Sequence, residues 1–264
     1  MIDIGVNLTD KQFNRDREAV VERAVAAGVN TLILTGTDMD ESIAALELAQ
    51  QYPEHCYSTA GIHPHSAKEA TDSSYKTLSS LFQEQTVVAA GEMGLDFNRD
   101  FSPRPVQETV FEQQLALAVQ HNMPAFCHER DASQRFFDIV REFRDELSGL
   151  VVHCFTADKE ALYRYLDLDL HIGITGWVCD ERRGTHLHPL LRDIPKNRLM
   201  IETDAPWLLP RTMDKKPKNR RNEPAFLPWV ARTIAEHTGE TAEQVMQETA
   251  ETARLFFNLD QGEQ

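Results

Sequence analysis

Short apolar runs of strand length alternate along the chain with longer segments that are apolar on one helical face only. Thr31-Leu32-Ile33-Leu34, Val87-Val88-Ala89-Ala90, Leu150-Val151-Val152 and Leu199-Met200-Ile201 are near-continuous hydrophobic runs. Parallel strands covered on both faces have this composition. The spacing predicts eight strands, beginning near Ile2, Thr31, Tyr57, Val87, Ala125, Leu150, Leu170 and Leu199. Helices are predicted between them. One runs from Asn14 to Ala27, with Val20, Ala24 and Ala27 on one face and Gly28 as its stop. Another opens at the cap-and-proline pair Ser102-Pro103 and carries Val110, Phe111, Leu115 and Ala118 on one stripe. Asn122-Met123-Pro124 ends it, and a third covers Ala132 to Phe143.

Eight strand–helix units predict an α/β protein, a (β/α)8 TIM barrel forming a single hydrolase domain over residues 1–264. A doubly wound open sheet fits the same alternation. Against it, no Gly-x-Gly-x-x-Gly or P-loop stands at any strand–helix junction, and ligand-type residues follow most strands rather than one switch point. Such residues at the C-terminal rim are what a barrel active site requires.

Composition narrows the picture. A hydrophobic fraction of 41% with 26% charged residues is ordinary for a globular protein, and no apolar stretch reaches membrane-spanning length. No membrane partner is expected. The opening Met-Ile-Asp-Ile-Gly-Val-Asn enters a strand pattern without a basic flank, which points to the cytoplasm. Cys56, Cys127, Cys154 and Cys179 show no Cys-x-x-Cys spacing and read as buried thiols. Cys127 and Cys154 each adjoin a candidate His, but alternation along a strand should turn each thiol away from its neighbour's pocket. Zinc held through these thiols is not expected.

With 42 acidic against 27 basic residues the net charge is −15, which repels nucleic acid on average. One local exception stands out: Arg211, Lys215, Lys216, Lys218, Arg220 and Arg221 surround the single Asp214. A solvated loop is the ordinary reading of such a run. Its position directly after a candidate site residue favours a clamp on an anionic substrate.

The chemistry lies in clusters after the apolar runs. Glu92, between Gly91 and Met93-Gly94, could reach a metal or two; the competing reading is a helix-capping turn. Asp96 nearby is a weaker candidate. His128 and His153 occupy equivalent places after consecutive strands, and two such imidazoles favour a divalent ion over isolated structural roles. Arg130 could hold a phosphate or pair with Asp131. Asp204, at the end of the last strand, is placed to take a proton from an attacking water, with a turn or cap role as competitor. Glu202 points the other way from Thr203 and suits a structural role. His63 and His65 flank Pro64 and could both face the pocket, to contact a phosphate, protonate a leaving group or ligate weakly.

Together these residues resemble the TatD family of metal-dependent deoxyribonucleases, within the amidohydrolase-like barrels. The matching stretches are Gly61-Ile62-His63-Pro64-His65, Gly91-Glu92-Met93-Gly94-Leu95-Asp96, His128 with Arg130-Asp131, His153-Cys154-Phe155-Thr156, Glu202-Thr203-Asp204-Ala205-Pro206 and Arg221-Asn222-Glu223-Pro224. They cover essentially the whole chain in order. The resemblance implies a Mg2+-dependent 3′→5′ exonuclease favouring single-stranded DNA, with RNA as a further substrate, in repair or degradation of DNA. Mn2+ or Zn2+ are the alternative ions, and a monomer is expected. Glu92, His128, His153 and Asp204 would hold the metal, with Asp204 also the general base. His63, His65 and Arg130 would contact the scissile phosphate or leaving oxygen, and Arg211, Lys216 and Arg221 the strand. One departure is plain. Most of the family carries His-x-His after the first strand, where this chain has Gly5 and Asn7; one well-held ion is therefore expected, with a second bound poorly or only with substrate. Two other readings stay open: hydrolysis of an amide, lactone or ester, or a retired enzyme serving as an accessory protein.

Overall fold

The computed structural model describes residues 1–259. Eight parallel strands stand in sequence order: β1 (Ile2–Val6), β2 (Thr31–Leu34), β3 (Cys56–Ala60), β4 (Val87–Asp96), β5 (Ala125–Arg130), β6 (Leu150–Val152), β7 (His171–Ile174) and β8 (Leu199–Ile201). The expected strand starts hold to within one residue. The ring is closed between β8 and β1 by a parallel bridge, Val6 to Ala205. Asn7 N–H donates to Ala205 O at 2.8 Å and Asp204 N–H to Gly5 O at 2.9 Å. Such closure removes the exposed sheet edge.

Helices cover the outside: α1 (Arg17–Ala26), α2 (Met39–Gln51), α3 (Asp72–Leu81), α4 (Arg104–Gln120), α5 (Ser133–Phe143), α6 (Lys159–Asp167), α7 (Leu227–Thr238) and α8 (Ala242–Phe256). Three helix expectations need adjustment. The first helix starts at Arg17, because Lys11–Phe13 forms a separate 3-10 turn capped by Asp10. Ser102 does not cap α4; Pro103 holds that place, and the buried Ser102 hydroxyl donates to His65 O and accepts from Lys68 N–H. No α-helix follows β7, where the chain makes 3-10 turns over Gly176–Cys179 and Thr185–Asp193, the second containing Pro189.

Two apolar layers result. Ile2, Ile4, Ile33, Val88, Phe126, Val151 and Met200 fill the barrel interior. A larger cluster lies between the strands and the helices, including Leu34, Phe111, Leu115, Phe136, Leu162 and Ile234. Among the described residues, no helix is long and apolar enough to cross a membrane.

The candidate active site

Strand alternation builds the site directly on the interior core. Phe126, Val151 and Met200 point inward, so residues two further on, His128, His153 and Glu202, point inward as the next layer up. Asp204 lies two beyond Glu202. The strands break at this level: Asp131, Cys154 and Asp204 adopt φ of 54°, 46° and 54°, in the left-handed region that non-glycine residues seldom enter. Such conformations are held at functional rims by surrounding contacts.

Glu92 arrives differently. β4 does not end before it but continues to Asp96, so Glu92 lies inside a fully buried strand and caps no helix. Gly91 and Gly94, at φ 143° and 141°, allow this course. A Cβ on Gly91 would lie 2.1 Å from Phe126 O, and one on Gly94 1.9 Å from His128 O. Only glycine permits β4 to approach β5 so closely. Two buried glutamines on one face of α4 hold the strand ends. Gln114 accepts from Ile62 N–H at 2.7 Å and donates to Ile62 O; Gln107 accepts from Asp96 N–H at 2.8 Å and donates to Asp96 O.

The donors converge. Glu92 Oε1 lies 2.7 Å from His153 Nε2, 3.0 Å from His128 Nδ1 and 3.3 Å from His63 Nε2. Ligand atoms of His63, Glu92 and His128 all fall within 4.8 Å of one another. Asp96 Oδ2 is 2.7 Å from His65 Nε2 and 3.4 Å from His128 Nε2. His128 Nε2 is nevertheless buried without a well-formed hydrogen bond, which a bound cation would explain. The set of imidazoles and carboxylates therefore fits a divalent ion.

Electrostatics follow from this packing. Burial opposes the charge on Glu92, but His153 and His63 outweigh it and hold the carboxyl well below its ordinary value. Burial lowers His153 and His128, yet neighbouring carboxylates win and raise both. For His63 burial prevails and lowers it to about 4, leaving it neutral and a competent ligand. Burial raises Asp204 to about 7, helped by the charges of Glu92 and Glu202. Asn7 Nδ2 donates to Asp204 Oδ1 at 2.9 Å, so one of the two departures from His-x-His is hydrogen-bonded to the Asp204 carboxylate.

A cavity of about 760 Å³ opens above these groups, lined among others by Asn7, His63, His65, Glu92, Asp96, Arg99, Phe101, His128, Arg130, His153, Trp177, Arg183, Asp204 and Trp207. Seven of the expected residues thus meet: Glu92, His128, His153, Asp204, His63, His65 and Arg130. Arg130 donates to Thr156 Oγ1 at 2.8 Å and lies 5.2 Å from the Trp177 ring. The basic stretch does not join them. Arg221 is nearly buried, clamped by Asp16 and Glu223 at 2.7 Å each, and its pKa is raised chiefly by Asp16. Arg211 pairs with Glu181 at 2.7 Å. Lys216 is exposed and in no ion pair among the described residues, and it does not line the cavity. Carboxylates distant in sequence neutralise this run where it meets the barrel.

Cys154 is a further correction, since it lines the cavity. β6 stops at Val152, and the left-handed turn at Cys154 ends the alternation on which the outward placement rested. Burial pushes its thiol up to about 12, so it remains protonated and is a poor ligand. Two residues had more to do than their sequence context suggested. Asp96 braces two histidines. Glu202 is fully buried, accepts from Cys154 N–H at 2.5 Å and lies 3.3 Å from His153 Nδ1. A carboxylate on the far nitrogen of a ligand histidine sets its tautomer and orientation.

A closed parallel barrel with an imidazole–carboxylate donor set at its C-terminal mouth defines an amidohydrolase-like hydrolase. The particular lineage is clear from relatives. Residues 2–258 match the family described as TatD related DNase, and the chain belongs to that family. It is 51% identical over 259 residues to the 3′-5′ ssDNA/RNA exonuclease TatD of Pectobacterium carotovorum subsp. carotovorum, spanning 98% of this chain and 100% of that protein. The crystal structure of YJJV, a TatD homologue from Escherichia coli K12, is 27% identical and superposes with a TM-score of 0.88 over 98% of each chain. A TatD family hydrolase from Entamoeba histolytica shares the fold, with a TM-score of 0.86 at 24% identity over 97% of each chain.

Proposed function

We propose that this protein is a 3′→5′ exonuclease that removes nucleotides from single-stranded DNA, and from RNA, with Mg2+ as its ion, acting as a monomer in the cytoplasm. The observation that carries this reading is the convergence of Glu92, His128, His153 and Asp204 under one cavity. It stands in a chain half identical, end to end, to a protein named for that activity.

Glu92, His128 and His153 would hold the ion, with His63, neutral and 3.3 Å from Glu92, as a fourth donor. A divalent ion supplies positive charge to the phosphoryl oxygens and acidifies water. Mg2+ suits a site with few protein ligands, because it keeps waters and borrows oxygens from phosphates. Asp204 takes the proton of the attacking water as the new P–O bond forms and the P–O bond to the leaving oxygen breaks, that oxygen taking up a proton from solvent. Asn7 holds Oδ1 and leaves Oδ2 for that proton, and a pKa of about 7 suits a general base at neutral pH. His65, oriented by Asp96 at 2.7 Å, faces the leaving oxygen, and Arg130 binds a phosphoryl oxygen. Arg211 and Arg221 have no part in tracking the strand. The complete donor set weighs against an accessory, non-catalytic protein.

Asp204→Asn keeps the shape of the carboxylate and removes the base. Release of mononucleotides from a 3′-labelled single strand should fall by roughly 10²–10⁴-fold, with the melting temperature little changed. A variant that is folded and degrades the strand at a near-normal rate would sink the assignment.

A further inference from the structure

Five large hydrophobic side chains are exposed among the described residues, and two of them, Phe101 at 54% and Trp207 at 51%, line the active-site cavity. Phe101 lies between β4 and α4. Trp207 follows β8, three residues after Asp204, in a turn closed by Trp207 N–H donating to Asp204 O at 2.9 Å. In an eight-stranded ring ordered β1 to β8, the β4 and β8 loops face each other across the mouth. The two rings therefore line the one cavity from loops on opposite sides of the barrel. The third aromatic of the rim, Trp177, is already covered, with the guanidinium groups of Arg183 at 4.2 Å and Arg130 at 5.2 Å from its ring. Trp207 has no ring or cation partner among the described residues, and the one aromatic ring paired with Phe101 among them is His65, at 4.7 Å between centroids.

A polar floor that takes a phosphodiester, beneath two uncovered aromatic walls, calls for a ligand with a phosphate and flat apolar faces on either side of it. We propose, resting on the nuclease reading above, that Phe101 and Trp207 stack on the unpaired bases flanking the scissile phosphate, and that this stacking selects single strands. Aromatic side chains hold bases in this sequence-tolerant way because every base offers a π-face. In a duplex those faces are occupied by neighbouring base pairs. The cavity, about 760 Å³, is of a size that takes small ligands, so a strand end must enter unpaired. Specificity then comes from two side chains outside the imidazole–carboxylate donor cluster.

The test compares matched single strands whose two 3′-terminal nucleotides are either normal or abasic, with Mg2+ present. Wild type should lose about a hundredfold in kcat/KM on the abasic end, about tenfold for each of the two missing bases. Trp207→Ala and Phe101→Ala should each lose about tenfold on the normal end, and at least fivefold less than that on the abasic end. Trp207→Phe should recover most of the loss, and the single- over double-strand preference should shrink in both alanine variants. Melting curves identify any variant that fails to fold, and Trp207→Phe keeps the comparison informative in that case. Equal losses on normal and abasic ends, or no loss on either, overturn the stacking proposal while leaving the nuclease reading intact. Wild type that releases no mononucleotide from any strand overturns the nuclease reading itself.

Discussion

Gly5 is where the site departs most from its family's pattern, and its surroundings explain what replaces the missing ligand. A Cβ at Gly5 would lie 2.4 Å from Glu202 Oε2, and one at Gly173 2.7 Å from Glu202 Oε1. Two glycines on β1 and β7 thus make the space in which the Glu202 carboxylate meets His153 and Cys154. A histidine at position 5 cannot coexist with Glu202 in this orientation. Gly5→Ala should therefore displace the carboxylate, with a cost of about 1–3 kcal/mol from overpacking. Loss of the brace on His153 should also weaken Mn2+ binding by roughly 10–100-fold. Thermal melting and calorimetric titration with Mn2+ read the two effects separately; a variant unchanged in both would show that Glu202 has no positioning role.

At the scale of elements, the seam between β8 and β1 is held by more than backbone pairing. Asp3, fully buried, accepts from Thr203 N–H at 2.8 Å and Thr203 Oγ1–H at 2.6 Å. Burial pushes its pKa up to about 8, despite those donors. The sign of its contribution follows: between pH 4 and 8 the folded protein keeps a proton that the unfolded chain has released, so stability falls as pH rises through that window. Asp3→Asn cannot ionise. Its urea midpoint should fall less between pH 5 and pH 8.5 than that of wild type, the other titrating groups being common to both. An identical slope in the two proteins would mean that Asp3 is ionised within the fold. The same scale explains why β4 is ten residues long: its glycines and the two glutamines of α4 extend the strand until Asp96 reaches the histidines.

For the whole molecule, the net charge of −15 sets how a polyanion can be held. The cations of the cavity lining are Arg99, Arg130 and Arg183. At about 0.7 released counterions per phosphate contact on a single strand, three contacts give a slope of about 2 in log affinity against log salt. Binding of a single-stranded oligonucleotide to Asp204→Asn, measured from 50 to 200 mM salt, should show that shallow dependence. A slope several times steeper would return the exposed stretch around Lys216 to a role in holding the strand.

Much of this architecture is legible in one dimension, because its periods are local. Apolar runs such as Val87–Ala90 and Leu150–Val152 declare buried parallel strands, and a residue two beyond an inward core position must itself face inward, as His128 and His153 do. The helix beginning at Arg17 and the 3-10 turns after β7 were less readable, since caps and turns compete over one or two residues. What the linear chain cannot state is who stands opposite whom. Arg221 looks like a free cation until Asp16, 205 residues away, closes on it. Glu202 looks structural until two glycines from other strands open the space beside His153. Phe101 and Trp207 have no special spacing, and they meet across the mouth only because the ring closes. Alternation and hydrophobicity act between neighbours in sequence and so are written there. Charge compensation, close approach and shared cavities act between neighbours in space, and only the closed barrel decides those.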